Sequence, residues 1–302
     1  MKKLINFGSL NIDYTFRVEE IARAGQTISS RDERCLPGGK GLNQSLAAAR
    51  AGAAVFHAGM IGTDGLFLKA LLESEGVDCR FLRTVDCGTG KAFIQVDRAG
   101  KNCIVLSGGA NQRNTREHCD EALRFFSPGD ILLLQNEVNC LAYLIDSAYE
   151  KGLSVVLNPS PMDRRVLDCD LTKVSVFMLN EEEGRALTAC ANESDVLLEM
   201  ERRYPRAEVV LTLGERGACY ARGGTRLFQS SFPARAVDTT GAGDTFTGYF
   251  LADVLRGEPV ERCLAHAARA AALSVSRPGA AASIPRRAEV AGDRKDPAAA
   301  PG

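Results

Sequence analysis

The chain has 302 residues, 45% of them hydrophobic, and its 37 Lys and Arg against 38 Asp and Glu give a formal net charge of -1. This length and apolar content can bury one substantial core, as α/β domains of this size do. The near-neutral charge excludes a long-range field that collects nucleic acid or anionic membranes, so we expect neither as a partner. No run approaches the ~20 apolar residues of a membrane span. Residues 1–10 lack the long apolar stretch of a secretory signal, so we expect a cytoplasmic protein.

Short apolar runs alternate with amphipathic segments along most of the chain. The runs that predict buried strands are residues 4–8, 54–61, 131–135, 154–157, 174–179 and 209–213. The segments that predict helices are residues 42–51, 67–75, 141–151, 181–189, 243–255 and 260–275. This alternation predicts an α/β fold with a doubly wound, mostly parallel sheet and helices on both faces. Ligands of such sheets bind at the carboxyl ends of the strands.

Two regions break this alternation and predict a separate small sheet. Apolar and polar side chains alternate from Ile12 to Val18, and this period of two is typical of a half-exposed strand. Residues 92–96 and 103–106 flank a polar turn and predict a β-hairpin. We therefore expect a small antiparallel β flap, or lid, formed from about residues 11–36 and 88–107. Because one face of the lid is apolar, it must cover either a ligand or a partner subunit.

The remaining organisation of the chain is simple. Residues 1–285 are expected to form one domain that includes the lid. From Arg286 onward the chain is rich in Ala, Gly, Pro and charged residues. Such a segment cannot bury enough apolar surface to order itself, so we predict that residues 286–302 are a disordered tail.

The strongest chemical signal is the sequence Asp-Thr-Thr-Gly-Ala-Gly-Asp at 238–244. The small residues Gly241, Ala242 and Gly243 directly precede a predicted helix, where backbone N–H groups and the helix dipole favour an anion. Asp244, inside this anion hole, can accept a proton from a hydroxyl while the N–H groups hold a phosphoryl group. The alternative is a glycine-rich turn followed by an N-capping aspartate.

A second glycine-rich loop, Pro-Gly-Gly-Lys-Gly-Leu-Asn-Gln, occupies residues 37–44. Gly39 lets the backbone approach a ligand closely, while Lys40 and Asn43 offer donors to hydroxyl groups. The loop is not a Walker phosphate loop, because Gly41 rather than Ser or Thr follows the lysine. The 241–243 motif also lacks the third glycine of a dinucleotide fingerprint. The alternative is a strand-to-helix turn with a solvated lysine.

Polar residues at other predicted strand ends carry weaker signals. Asn11 and Asp13 follow the first strand and can hold vicinal hydroxyls, and Glu137 follows the strand 131–135. The acidic run that starts at Asn180 and the Thr-Leu-Gly at 212–214 each follow a strand as well. Taken one at a time, these are ordinary strand ends and first turns of helices.

Together these motifs resemble the ribokinase-like (PfkB) carbohydrate kinase family, over about residues 4–285. The resemblance implies that Asp244 is the catalytic base and that Gly241, Ala242 and Gly243 form the anion hole. By the same resemblance the sugar-binding residues are Asn11, Asp13, Gly39, Lys40, Asn43 and Glu137. The implied nucleotide-binding residues are Asn180, Thr212, Gly214, Gly217 and Gly243. Glu183 is implied to be linked to magnesium. An activating monovalent cation, usually potassium, is implied to bind the loop residues Asp238, Thr240, Ser274, Arg277, Gly279 and Ser283.

The activity that this resemblance implies is ATP-dependent phosphorylation of a sugar hydroxyl, with Mg²⁺ and K⁺ as cofactors. We expect the 5-hydroxyl of D-ribose as acceptor, giving D-ribose 5-phosphate. Deoxyribose, another pentose or a nucleoside remain alternatives within the family, and a non-catalytic sugar sensor is the alternative outside it. The resemblance also implies a homodimer that pairs through the lid.

Overall fold

The computed structural model describes residues 2–291. Its strands are β1 (Leu4–Phe7), β2 (Asn11–Arg17), β3 (Asp32–Gly38), β4 (Val55–Ile61), β5 (Asp78–Thr84), β6 (Gly90–Val96), β7 (Asn102–Ser107), β8 (Ile131–Gln135), β9 (Ser154–Asn158), β10 (Val176–Asn180), β11 (Glu208–Thr212), β12 (Gly217–Arg222) and β13 (Thr225–Ser230). Its helices are α1 (Lys40–Arg50), α2 (Leu66–Ser74), α3 (Arg116–Leu123), α4 (Leu141–Glu150), α5 (Arg164–Leu167), α6 (Glu181–Thr188), α7 (Glu193–Arg203), α8 (Ala242–Arg256), α9 (Val260–Val275) and α10 (Arg287–Ala291).

Nine strands form one large sheet in the order β13-β12-β11-β10-β9-β8-β1-β4-β5. All neighbours from β11 to β5 pair in parallel, and only β12 and β13 add antiparallel pairs at one edge. Strand β8 is buried along its whole length, as a central parallel strand covered on both faces should be. The predicted doubly wound α/β sheet is confirmed.

Helices cover both faces of this sheet, and each face has its own core. Leu133 of β8 belongs to the core under α1, α8 and α9, while its neighbour Leu134 belongs to the core under α3, α4 and α7. Successive side chains of a strand point to opposite faces. A continuous apolar run therefore supplies both cores at once.

The lid is a separate four-stranded sheet in the order β3-β2-β6-β7. Strands β2 and β3 pair antiparallel, as do β6 and β7, whereas β2 and β6 pair in parallel at the centre. The predicted hairpin is confirmed, with its turn closed by a bond from the Asp97 N–H to the Lys101 carbonyl. The polar strand β3 carries almost no alternation, because it is an exposed edge.

The C-terminal prediction was wrong at its start. Arg287–Ala291 form helix α10, which is tied to the domain by ion pairs from Arg286 to Glu75 and from Arg287 to Asp253. These contacts supply the stabilisation that composition alone did not suggest. Residues 292–302 of the predicted tail lie outside the described residues. Within residues 2–291, no helix combines the length and apolar character needed to cross a membrane.

Candidate active site

Asp244 lies in the first turn of α8, at the carboxyl end of the large sheet. Helix α8 begins directly after Gly241, whose φ of 76° lies in the left-handed region that glycine adopts without strain. One turn beyond Asp244, a Cβ on Gly248 would lie 2.4 Å from the Cβ of Ala47 in α1. Glycine at this position therefore lets α1 and α8 pack closely. As a result, Asp244 faces the first turn of α1.

Two amide side chains from α1 hold the Asp244 carboxylate. The Asn43 Nδ2 donates to Oδ2 at 3.0 Å, and the Gln44 Nε2 donates to Oδ1 at 2.8 Å. Asp244 is only 8% exposed. The two glycine-rich loops that are distant in sequence therefore meet at this carboxylate.

The loop that starts α1 is held against the end of β1. A Cβ on Gly41 would lie 2.3 Å from the backbone N of Ser9, and Gly39 has a φ of 96°. Glycine is therefore required at both positions. The Glu137 Oε2 accepts a bond of 3.0 Å from the Lys40 backbone N–H and a second bond from the Ser9 hydroxyl. Glu137 thus anchors this loop as well as facing the site.

Lys40 is the cation at the centre of four carboxylates. Burial by itself acts to lower the pKa of Lys40, but the nearby charges of Asp244, Glu137, Glu183 and Asp13 outweigh it, so the pKa is raised. The lysine is therefore charged over the physiological pH range. It partly neutralises a site that is otherwise strongly anionic.

Burial and neighbouring negative charges disfavour the charged form of Asp13. Burial, and then the charges of Glu137 and Asp244, raise its pKa from 3.8 to about 7, although Lys40 acts in the opposite direction. Its Oδ1 is buried and has no hydrogen-bond partner among the described residues. A Cβ on Gly38 would lie 1.9 Å from the Asp13 Oδ2, so glycine leaves the space that this carboxylate fills. An unpartnered buried carboxylate oxygen is suited to accept a ligand hydroxyl.

Two spaces lie near the glycine-rich loops, and Asp244 lines the smaller one. A cavity of about 200 Å³ is lined by the 241–244 motif, Lys40, Asn158, Asn180, Glu183 and Thr212. A larger cleft of about 960 Å³ separates the lid from residues 236–240 and 278–280, and Asp13 lines it. Asp244 lines the smaller cavity only, whereas Thr239, in the loop before α8, lines both spaces. Gly243 lines the smaller space, and a Cβ there would meet no atom within 4 Å.

Of the predicted nucleotide residues outside the 241–244 motif, Asn180 and Thr212 line the smaller cavity, as does the predicted magnesium-linked Glu183. Asn180 and Glu183 form a capping box at the start of α6, with the Asn180 N–H and Nδ2 donating to the Glu183 carboxylate at 2.9 and 3.0 Å. Burial, as the largest cause, raises the pKa of Glu183. Thr212 donates to the Leu179 carbonyl and lines the cavity, whereas Gly214 and Gly217 form the turn into β12 and do not line it.

The predicted cation loop is brought together by Asp238. Its Oδ1 accepts from the Thr240 N–H at 3.0 Å and its Oδ2 from the Gly279 N–H at 2.9 Å. Burial acts to raise the pKa of Asp238, but these hydrogen bonds lower it overall. The Arg277 guanidinium turns away to Glu289. The two serines bond within their own turns, Ser274 Oγ to the Ala271 carbonyl and Ser283 Oγ to the Ala280 carbonyl.

Several polar residues of the site were not identified from the sequence. Asn111 is 1% exposed and its Nδ2 donates to the Asn11 Oδ1 at 2.8 Å, so it positions the predicted sugar residue Asn11. Gln44 and Gln135 are fully buried; Gln44 bonds to Asp244, and Gln135 bonds to Gln44. Gln44 directly follows the predicted Asn43. A polar residue at a predicted buried position was the signal that could have identified both glutamines.

The site is thus a buried carboxylate in the first turn of α8, held by two amide side chains from α1 and lining one cavity. A family model described as pfkB family carbohydrate kinase matches residues 1–287, and the chain belongs to this family. It is a carbohydrate kinase. The predicted family and enzyme class are confirmed.

Individual relatives agree with this assignment. The ribokinase of Haemophilus influenzae is 34% identical over 297 residues, covering 95% of this chain and 97% of that protein. A deoxyribokinase of Salmonella typhi is 29% identical over 287 residues, covering 92% of this chain and 94% of that protein. A solved structure of Arabidopsis thaliana ribokinase complexed with ribose and ATP is 30% identical, with a TM-score of 0.83 over 96% of this chain and 98% of that chain.

Proposed function

We propose that this carbohydrate kinase transfers the γ-phosphoryl group of ATP to the 5-hydroxyl of D-ribose, with Asp244 as general base. The observation that carries the proposal is the meeting of the two glycine-rich loops at one buried carboxylate, which Asn43 and Gln44 hold at 3.0 and 2.8 Å. The ribokinase relative is more similar than the deoxyribokinase relative, 34% against 29% identical, which favours ribose as acceptor.

The proposed phosphoryl transfer uses the Asp244 carboxylate and the N-terminus of α8. As the sugar oxygen bonds to the γ-phosphorus, Asp244 accepts the hydroxyl proton and the bond to ADP breaks. The backbone N–H groups of residues 241–243 lie at the N-terminus of α8, where the helix dipole stabilises the transferring group. Asp13, Asn11 and Asn43 supply acceptors and donors for the sugar hydroxyls. Lys40 and Glu137 complete the polar wall.

Closure of the lid would exclude water from the sugar side of the site. The cleft of about 960 Å³ is much larger than a pentose and is lined by both lid and body residues. Closing the lid over the sugar would remove bulk water, which otherwise competes as phosphoryl acceptor. Fixing the hydroxyl against the phosphoryl group can supply roughly 7–11 kcal/mol of barrier reduction.

Residues at the smaller cavity fit a nucleotide with magnesium. Asn180 and Thr212 line it, and Gly214 and Gly217 shape the adjacent turn. Magnesium would neutralise phosphate charge during transfer. Glu183 offers hard oxygen atoms, but its carboxylate already accepts two bonds from Asn180. We expect it to act on magnesium through bound water, as magnesium commonly retains several waters.

The loop around Asp238 fits a monovalent cation such as potassium. It offers oxygen ligands, an ionised carboxylate at Asp238 and the buried Ser283 hydroxyl, and hard cations prefer such ligands. Because the Arg277 guanidinium pairs with Glu289, this residue would contribute its backbone oxygen. Thr240, Ser274 and Gly279 would contribute likewise. Bound potassium would order the loop beside the anion hole, since a Cβ on Gly241 would lie 3.0 Å from the Ala280 Cβ.

The test of this function is ADP release across a panel of D-ribose, 2-deoxy-D-ribose, other pentoses and nucleosides, with and without potassium. We expect the highest kcat/KM for ribose and activation by potassium. Activity on a nucleoside but not on ribose would refute the acceptor. Sugar binding without ADP release would instead identify a sensor.

We also propose a homodimer that forms through the lid. The lid face that carries Tyr14 exposes Phe93 and Val105, which are 40% and 61% exposed, and Tyr14 stacks on Phe93 with ring centroids 5.6 Å apart. A second copy would bury this apolar surface. Light scattering should give about twice the mass of 32.4 kDa, and a monomer at micromolar concentration would contradict the pairing.

A further inference from the structure

A chain of buried amide side chains lies beneath Asp244. Gln44, Gln135 and Asn6 are all 0% exposed. Buried polar groups cost free energy unless they are hydrogen-bonded, so apolar residues would be less costly at these positions if packing were their only role. The hydrogen bonds of these amides connect them to Asp244.

Gln44 links the catalytic carboxylate to this chain. Its Nε2 donates to the Asp244 Oδ1 at 2.8 Å and to the Asn158 Oδ1 at 3.1 Å. Its Oε1 accepts from the Gln135 Nε2 at 2.7 Å. Both hydrogens of the Gln44 amide nitrogen therefore have acceptors, and one of these acceptors is the proposed base.

The Gly41 backbone carbonyl determines which atom of each buried amide donates and which accepts. The Asn6 Nδ2 donates to the Gly41 carbonyl at 2.8 Å, so its Oδ1 faces Gln135 and must accept. The Gln135 Nε2 donates to that Oδ1 at 3.0 Å and also to the Gln44 Oε1. Gln44 is then left with its Nε2 toward Asp244. Because a carbonyl oxygen can only accept, the amides cannot flip without losing bonds.

We propose that Gln44, oriented by Gln135, positions the Asp244 carboxylate to take the proton of the sugar hydroxyl. This inference rests on the proposed role of Asp244 as general base. A general base must stand within hydrogen-bond reach of its proton in the correct orientation. Gln44 holds Oδ1 while Asn43 holds Oδ2, which fixes the plane of the carboxylate. Each oxygen keeps a lone pair for the substrate.

Gln44 differs from Asn43 in one respect that makes it testable. The Asn43 Oδ1 is buried without a partner among the described residues, so it can accept from a sugar hydroxyl as well as serve Asp244. The Gln44 amide is fully engaged within the protein. Changing Gln44 should therefore affect turnover without affecting sugar binding.

The test replaces Gln44 by Met, which keeps the length of the side chain and removes the donor. We expect kcat for ribose to fall about 10- to 100-fold, with KM for ribose and ATP within about threefold of wild type. In an Asp244→Asn background, which retains slow turnover that radiolabelled ATP can follow, Gln44→Met should change kcat less than about twofold. A residue that acts through another loses its effect when that other is removed.

Ser45→Ala is the matched control, since Ser45 is also 0% exposed and bonds to Asn6 but does not contact Asp244. It should leave kcat within about twofold. If Gln44→Met does not fold, Gln135→Met carries the test, because it removes the donor to the Gln44 Oε1, along with the bond to Asn6, and leaves the direct bond from Gln44 to Asp244 in place. It should lower kcat about three- to tenfold, again only when Asp244 is present.

Wild-type kcat in Gln44→Met, or a full further loss in the Asp244→Asn background, would overturn the positioning role. Those results would leave the kinase function intact if the wild-type protein phosphorylates ribose. Absence of ribose phosphorylation by the wild-type protein would instead refute the proposed function itself.

Discussion

Replacing Asp13 by Asn should stabilise the unliganded protein at neutral and alkaline pH while weakening sugar binding. The reason is the crowding of like charges: burial and the charges of Glu137 and Asp244 raise the pKa of Asp13 from 3.8 to about 7. Asparagine has nearly the same shape and carries no charge. It removes the repulsion, but it also removes an acceptor for a sugar hydroxyl.

The magnitude and sign follow from linkage. An acid whose pKa is higher in the folded than in the unfolded protein stabilises the fold only while its proton is bound. For Asp13 this stability is complete below about pH 4 and is lost as the pH rises to about 7. At ~1.4 kcal/mol per pH unit the full loss is about 4 kcal/mol. Partial solvent access to the carboxyl lowers the expected value to roughly 2–4 kcal/mol.

The assay is equilibrium denaturant unfolding of the wild type and Asp13→Asn between pH 4.5 and pH 8.5. We expect the variant's advantage in unfolding free energy to grow as the pH rises to about 7 and to stay constant above that. Asp86→Asn, at an exposed position, is the control and should differ from wild type by less than about 0.5 kcal/mol at every pH. An Asp13→Asn difference that is independent of pH would refute the reasoning.

Two further predictions separate the site from its scaffold. Gly243→Ala should leave the unfolding free energy within about 0.5 kcal/mol of wild type, because its Cβ would enter open space, but it should raise KM for ATP several-fold. Gly41→Ala should lose about 1–3 kcal/mol of stability, because its Cβ would lie 2.3 Å from the backbone N of Ser9. Equal stabilities of the two variants would contradict this contrast. Arg50→Met should cost about 1–3 kcal/mol, because Arg50 holds two carbonyl oxygens of the loop after α9 and pairs with Glu75, which keeps its second ion pair with Arg286. The Arg50→Met variant should also need a higher potassium concentration for half-maximal ADP release. An unchanged potassium concentration would show that Arg50 does not support the cation loop.

Much of the fold followed from local patterns in the sequence. The strand at 131–135 and the helix at 260–275 have the predicted bounds, because each combines a clear apolar pattern with polar ends. The first site helix begins at Lys40 rather than at residue 42, since Gly39 and Gly41 masked its start. The strands β12 and β13 were not predicted, because β12 is buried but built largely of small residues without a long apolar run, and β13 is mostly exposed.

The candidate site could be predicted only in part. The motifs around Lys40 and Asp244 indicate a binding site from local sequence alone, because glycines directly precede a predicted helix in both. Gln44 does not, because its bond to Asp244 spans 200 residues of sequence. The raised pKa of Asp13 likewise depends on charges from separate elements. Such properties arise only when the chain has folded.

The most direct test of the account is the turnover of Asp244→Asn. The amide keeps the size of the side chain and cannot accept the proton, so kcat for ribose phosphorylation should fall about 100- to 10,000-fold. Ribose and ATP should still bind, within about threefold of the wild-type affinities by calorimetry. Turnover within a few-fold of wild type would contradict the role of Asp244 as the base.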